Sequence, residues 1–90
     1  MLDDLEEIRA FKLVIAQGSI AGAARCLSLS PAAVGKRLAS LERKTDRCLI
    51  QRTTRKLSIT EDGSSLLKLI EPIIAAVDAA EEQMSHVRKN

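Results

Sequence analysis

The sequence predicts a mainly α-helical fold: three short helices, a small β-hairpin and one long terminal helix. Three observations carry that expectation. Apolar residues recur at helical spacing, between capping signals, as far as Leu41. The period then switches to two between Cys48 and Ile59. From Leu66 an apolar seam continues at heptad spacing to Val87. Ninety residues suffice for one modest core. With Phe11 the only aromatic residue, Leu, Ile, Val and Ala must fill that core, which suits closely packed helices.

Asp3 and Asp4 precede Leu5, Ile8, Phe11, Val14 and Ile15, an apolar set on one helical face. The two acids sit at the positive end of that helix's dipole. Gly18 is expected to end the helix in the left-handed conformation that glycine adopts without strain. Ser19 can then cap a short second helix carrying Ile20, Ala23, Ala24 and Leu27. Ser28-Leu29-Ser30 breaks it, and Ser30-Pro31 starts a third. Serine sits at the cap, and proline takes the first helical position, where its missing N–H costs nothing. On the third helix Val34, Leu38 and Leu41 face inward, and Lys36, Arg37, Ser40, Arg43 and Lys44 face outward. Residues 49–53 and 56–59 alternate at period two and read as a hairpin turning near Thr54-Arg55. Thr60 caps the last helix, with Glu61 and Asp62 in its first turn.

Charge is distributed unevenly. Residues 25–56 hold nine basic side chains against two acids, Glu42 and Asp46, whereas the rest of the chain holds five basic and ten acidic ones. A basic middle with acidic flanks is the electrostatic footprint of a nucleic-acid contact surface.

The second and third helices, joined by a short turn, form a helix-turn-helix. Ala23 and Ala24 let the first of the pair approach closely. Ser30, Pro31, Ala32 and Ala33 are small, so the start of the second can come near base edges, where alanine can contact a thymine methyl. Gly35 lies beside them. One turn further on, Lys36 and Arg37 can reach guanine edges or phosphates. The hairpin adds Arg52, Arg55 and Lys56 immediately after this unit, which makes it a winged helix-turn-helix.

Residues 5–63 resemble the DNA-binding domain of LysR-type transcriptional regulators. The matching residues are Leu5, Phe11 and Val14; Gly18-Ser19-Ile20; Ala23-Ala24 and Leu27; Leu29-Ser30-Pro31-Ala32-Ala33-Val34; Leu41-Glu42; Leu49, Arg52 and Arg55; and Thr60 with Gly63. The chain departs from the family pattern at Gly35, usually serine, at Thr45 and Asp46, usually leucine and glycine, and at Ile50, often phenylalanine. The resemblance implies base and backbone contacts from Pro31, Ala32, Lys36 and Arg37, with Arg55 of the wing in the minor groove. It also implies a bacterial, cytoplasmic regulator whose ligand-sensing domain follows the linker helix, so no effector ligand is expected on this portion.

The domain division expected is 1–60 for the winged helix-turn-helix and 61–90 for a linker and dimerisation helix. Along the latter, Leu66, Ile70, Ile73, Val77, Ala80, Met84 and Val87 are spaced 4, 3, 4, 3, 4, 3, the seam of a helix pairing with a second copy. Leu67, Leu69 and Ile74 widen the stripe near its start, where it is expected to pack on its own domain. Pro72 lies off the seam and is compatible with either a bend or a break.

Other classes fare poorly. No apolar run approaches the length that spans a bilayer. The polar face of the last helix carries Glu71, Asp78, Glu81 and Glu82 rather than a basic belt for lipid. Cys26 and Cys48 are expected as small core residues of a reducing cytoplasm. With His86 the lone histidine, no metal site, cofactor or enzymatic constellation is expected. The expected partners are double-stranded DNA and a second copy of the chain. One alternative stays open on the residues: a winged-helix module whose basic face docks an acidic protein.

Overall fold

The chain folds in the order α1 (Leu5–Gln17), α2 (Ile20–Leu27), α3 (Pro31–Thr45), β1 (Ile50–Arg52), β2 (Leu57–Ile59) and α4 (Glu61–Arg88). This computed structural model describes residues 2–53 and 56–88, the last three by backbone alone.

Each helix starts where a side chain can take an orphan amide. Asp4 accepts from the Glu6 N–H, Ser19 from Gly22 and Ser30 from Ala33, at 2.9, 2.9 and 3.1 Å. Gly18 closes α1 with φ 74°, as its sequence position predicts. Two non-glycine residues do the same work elsewhere, Ser28 (φ 57°) after α2 and Asp46 (φ 54°) after α3. Asp46 thus takes up the left-handed turn without glycine, a conformation aspartate tolerates better than most residues.

Phe11, Val14, Ala23, Ala24, Val34, Leu38 and Leu41 are buried where α1, α2 and α3 meet. Leu49, Ile70 and Ile74 close this core from the hairpin and α4. The strands pair antiparallel in the register Ile50↔Ile59, Gln51↔Ser58, Arg52↔Leu57. Ile50, Leu57 and Ile59 lean on the core while Gln51 and Ser58 face water, the period-two pattern made physical.

α4 runs through Pro72 as one helix. Gly63, Leu66, Leu67, Ile70 and Ile74 form its inner face. This corrects two expectations. Ile70, placed on the seam between copies, is 1% exposed and belongs to its own core, with Leu66 half-buried beside it. Leu69, expected to pack on its own domain, is 69% exposed. A third correction concerns the cysteines: Cys26 and Cys48 are free thiols on the surface, not core residues. Among the described residues no helix is long and apolar enough to cross a membrane.

Candidate nucleic-acid interface

The start of α3 presents a smooth surface. Ser30, Pro31 and Ala32 are exposed and Ala33 is half-buried. A Cβ built on Gly35 meets nothing within 4 Å, so the space beside it is open. Lys36 projects into solvent, while Arg37 is half-buried. On the hairpin Arg52 and Lys56 are exposed; Arg55, assigned to the wing tip from the sequence, lies outside the described residues. An open groove of about 320 Å³ separates the hairpin from the α1–α2 turn, lined by Gly18, Ser19, Ile20, Arg52, Thr53, Lys56 and Leu57.

Not every cation here is available. The acidic first turn of α1 lies against α3 and engages two of its basic residues. Arg37 Nη1 donates to Glu6 Oε2 at 3.2 Å. Lys44 Nζ donates to Asp3 Oδ1 at 2.8 Å and to Glu7 Oε1 at 2.9 Å. The Lys44 hydrogen bond and charge hold the Asp3 carboxyl below its ordinary range. Asp3 first, then Glu7, raises the Lys44 ammonium. By contrast, no ion pair among the described residues engages Lys36, Arg43, Arg52 or Lys56. Sequence reading found these cations but missed the pairing, because Glu6 and Arg37 stand 31 residues apart and only the fold brings them together.

The wing is fixed to α3 by another acid. Glu42 Oε2 accepts from the Leu49 and Ile50 amides at 2.7 and 3.3 Å. Thr60 locks the far strand: its N–H donates to the Leu49 carbonyl at 3.0 Å and its hydroxyl to the Cys48 carbonyl at 2.6 Å. The same hydroxyl accepts from Gly63 N–H at 3.0 Å, capping α4 as its position predicts. Gly63 itself must be glycine, since a Cβ there would run into the Leu49 carbonyl.

Beyond the core, α4 carries an exposed apolar line of Leu69, Ile73, Ala80 and Met84, with Val77 half-buried at its edge. At 3.6 residues per turn this line lies roughly a quarter turn round the helix from the inner face. Val87, the last residue of the expected seam, has its side chain outside the described residues. Arg9 ties α1 to the outer half of α4, donating to Asp78 Oδ1 at 2.7 Å, with Glu81 at 4.0 Å. That hydrogen bond raises the Arg9 guanidinium.

Small-residue helix start, exposed cations and basic hairpin together define a winged helix-turn-helix of the DNA-binding class. Residues 5–64 match the family described as "Bacterial regulatory helix-turn-helix protein, lysR family", and the chain belongs to it. It corresponds to the DNA-binding domain of these transcriptional regulators, which are not enzymes. The HTH-type transcriptional regulator DmlR of Escherichia coli K12 is 36% identical over 85 residues, covering 94% of this chain and 28% of DmlR. CrgA of Neisseria meningitidis is 35% identical over 89 residues, covering 99% of this chain and 30% of CrgA. The chain therefore spans about three-tenths of the length of these curated relatives. Among solved structures, the BenM DBD in complex with catB site 1 DNA has a TM-score of 0.86 at 20% identity, covering 97% of this chain and 98% of that one. At that identity the likeness establishes the shared fold.

Proposed function

We propose that this chain binds double-stranded DNA sequence-specifically as a homodimer, within a bacterial transcription regulator acting in the cytoplasm. α3 enters the major groove through Ser30, Pro31, Ala32, Ala33, Gly35, Lys36 and Arg37. The hairpin lies along the neighbouring backbone with Arg52 and Lys56, and Arg55 reaches the minor groove. Residues 61–90 link and dimerise. One observation carries the reading: acids neutralise Arg37 and Lys44, yet among the described residues Lys36, Arg43, Arg52 and Lys56 have no ion pair, and α3 begins with small side chains. Unpaired surface cations of this kind suit phosphate, and the small residues suit close approach to bases. The groove between hairpin and α2, which holds Arg52, Lys56 and the capped end of α2, suits the backbone in the same way.

The dimer uses the exposed line of α4, Ile73, Ala80 and Met84 with Leu69 added, rather than the core-facing Ile70. Two recognition helices then meet successive major grooves about 34 Å apart. Fluorescence anisotropy on a random duplex tests the electrostatic part, with log affinity falling by about 0.9 per contacted phosphate for each unit of log salt. Selection from random DNA should return an interrupted inverted repeat. Inserting five base pairs between its halves rotates them to opposite faces and should abolish tight binding. No binding at any salt concentration would refute DNA contact, salt-independent binding would refute the phosphate contacts, and unchanged affinity after the insertion would refute dimeric readout.

A further inference from the structure

The two acid clamps on α3 are built differently. Lys44 is gripped by two carboxylates at 2.8 and 2.9 Å, one of them from the buried residue Glu7. Arg37 is held by a single bond of 3.2 Å, longer than a strong charge-assisted hydrogen bond, from a Glu6 side chain that is 60% exposed. The first clamp is part of the packing between α1 and α3. The second is an exchangeable contact, and it occupies the basic residue next to Lys36.

We propose that Glu6 is an internal competitor for Arg37, restraining the affinity of α3 for DNA of any sequence. The inference rests on the reading that α3 meets DNA. A guanidinium bonds a phosphate as it bonds a carboxylate, so Arg37 must leave Glu6 to add a contact. The vacated carboxylate would then face the polyanion. Sequence-independent contacts offer only phosphate in exchange, and Glu6 opposes each such exchange equally. Glu6 therefore acts as a brake on DNA binding from outside the reading helix.

The test uses the full chain and its variants Glu6→Gln, Arg37→Ala and the double variant, titrated on a random-sequence 30-base-pair duplex at several salt concentrations. Gln keeps the shape of Glu6, and the Glu6 amide stays capped by Asp4. Glu6→Gln should bind about 1.5- to 5-fold tighter, the range of an exposed ion pair. Its log affinity should also fall more steeply with log salt, by up to about 0.9, as the one phosphate contact of Arg37 becomes more fully occupied. In the Arg37→Ala background the gain should be smaller, because only the charge of Glu6 is then removed. An equal gain in both backgrounds would reduce the effect to bulk charge and overturn the proposal. Unchanged or weaker binding by Glu6→Gln would overturn it too, making Glu6 a support for Arg37. If Arg37→Ala binds like the parent with full salt dependence, this inference fails while DNA binding stands. If the parent ignores the duplex at every salt concentration, the DNA reading falls first.

Discussion

Gly35 and Gly63 both sit inside helices, and the same substitution should move stability in opposite directions at the two. At Gly63 an added Cβ would collide with the Leu49 carbonyl and come within 2.8 Å of Ile59 Cγ1. The isoleucine can turn aside; the carbonyl is backbone and is held by the Thr60 amide. Overpacking of this kind costs about 1–3 kcal/mol, and displacing the carbonyl loses a hydrogen bond worth about 1 kcal/mol. Alanine's helical preference offsets about 0.8–1 kcal/mol of that. Gly63→Ala should therefore lose about 1–3 kcal/mol, lowering Tm by roughly 5–20 °C for a domain of this size. At Gly35 nothing lies within 4 Å of the added atom, so Gly35→Ala should keep the whole gain of about 0.8–1 kcal/mol. Thermal unfolding followed by circular dichroism, at one fixed protein concentration because dimerisation shifts Tm, measures both. A Gly63→Ala Tm at or above the parent's would refute the backbone-clash argument, and a lowered Gly35→Ala Tm would refute the open-space argument.

Ile73, half exposed, and Ile70, 1% exposed, separate dimerisation from folding. Ile73→Lys should sediment as a folded monomer at micromolar concentration, whereas Ile70→Lys should fail to fold; a dimeric Ile73→Lys would remove this line from the interface. Arg9→Ala and Asp78→Ala should each cost less than about 1 kcal/mol, since Asp78 is well exposed and solvent screens the pair. Their coupling in a double-mutant cycle should stay within that bound. The Asp3–Lys44 pair should show a pH window. Depression of Asp3 below its ordinary 3.8 stabilises above that pH and is lost as pH falls through the lower folded value. Elevation of Lys44 above 10.5 stabilises below that pH and is lost as pH rises through the higher folded value. The Tm difference between parent and Lys44→Met should thus be flat between these limits and shrink beyond both; a difference that changes across neutral pH would contradict the pairing.

Local chemistry made the elements legible. Ser19, Ser30 and Thr60 cap the helices their positions announce, and Gly18 takes the left-handed turn. Apolar pattern alone misplaced part of α4. Heptad spacing marks residues that must leave water, but Ile70 leaves it against its own core and Ile73 is left to find another surface. Periods of 3.5 and 3.6 scarcely differ over four turns, so one line of residues can be shared between two neighbours. The cysteines depart from expectation for a similar reason: the tendency of thiols to be buried is an average, and Cys26 is exposed on α2 and Cys48 in the segment between α3 and β1. Ion pairs were beyond reach, since the Arg37–Glu6 and Lys44–Asp3 contacts join residues 31 and 41 apart.

Two acids near α3 should respond to removal with opposite signs, which separates geometry from net charge. Glu6 competes for a cation, so its loss should tighten binding. Glu42 does something else: its carboxylate takes the Leu49 and Ile50 amides and sets where the hairpin leaves α3. Leu49 is also where Thr60 and Gly63 bring in the start of α4, so one node joins the reading helix, the wing and the long helix. Glu42→Ala leaves two amides without their acceptor, at about 1–3 kcal/mol for each one kept from water. The strand base should then shift until water reaches them. Arg52 and Lys56 ride on that strand pair, so their position relative to Lys36 should be lost with it. Bulk charge would have Glu42→Ala bind DNA more tightly, as Glu6→Gln does. The node requires weaker binding, with a shallower salt slope as wing contacts drop out, each worth about 0.9 in that slope. Anisotropy titration of the folded variant, below its Tm, decides between them. Tighter binding by Glu42→Ala would mean that the wing needs no anchor and that net charge alone governs the surface.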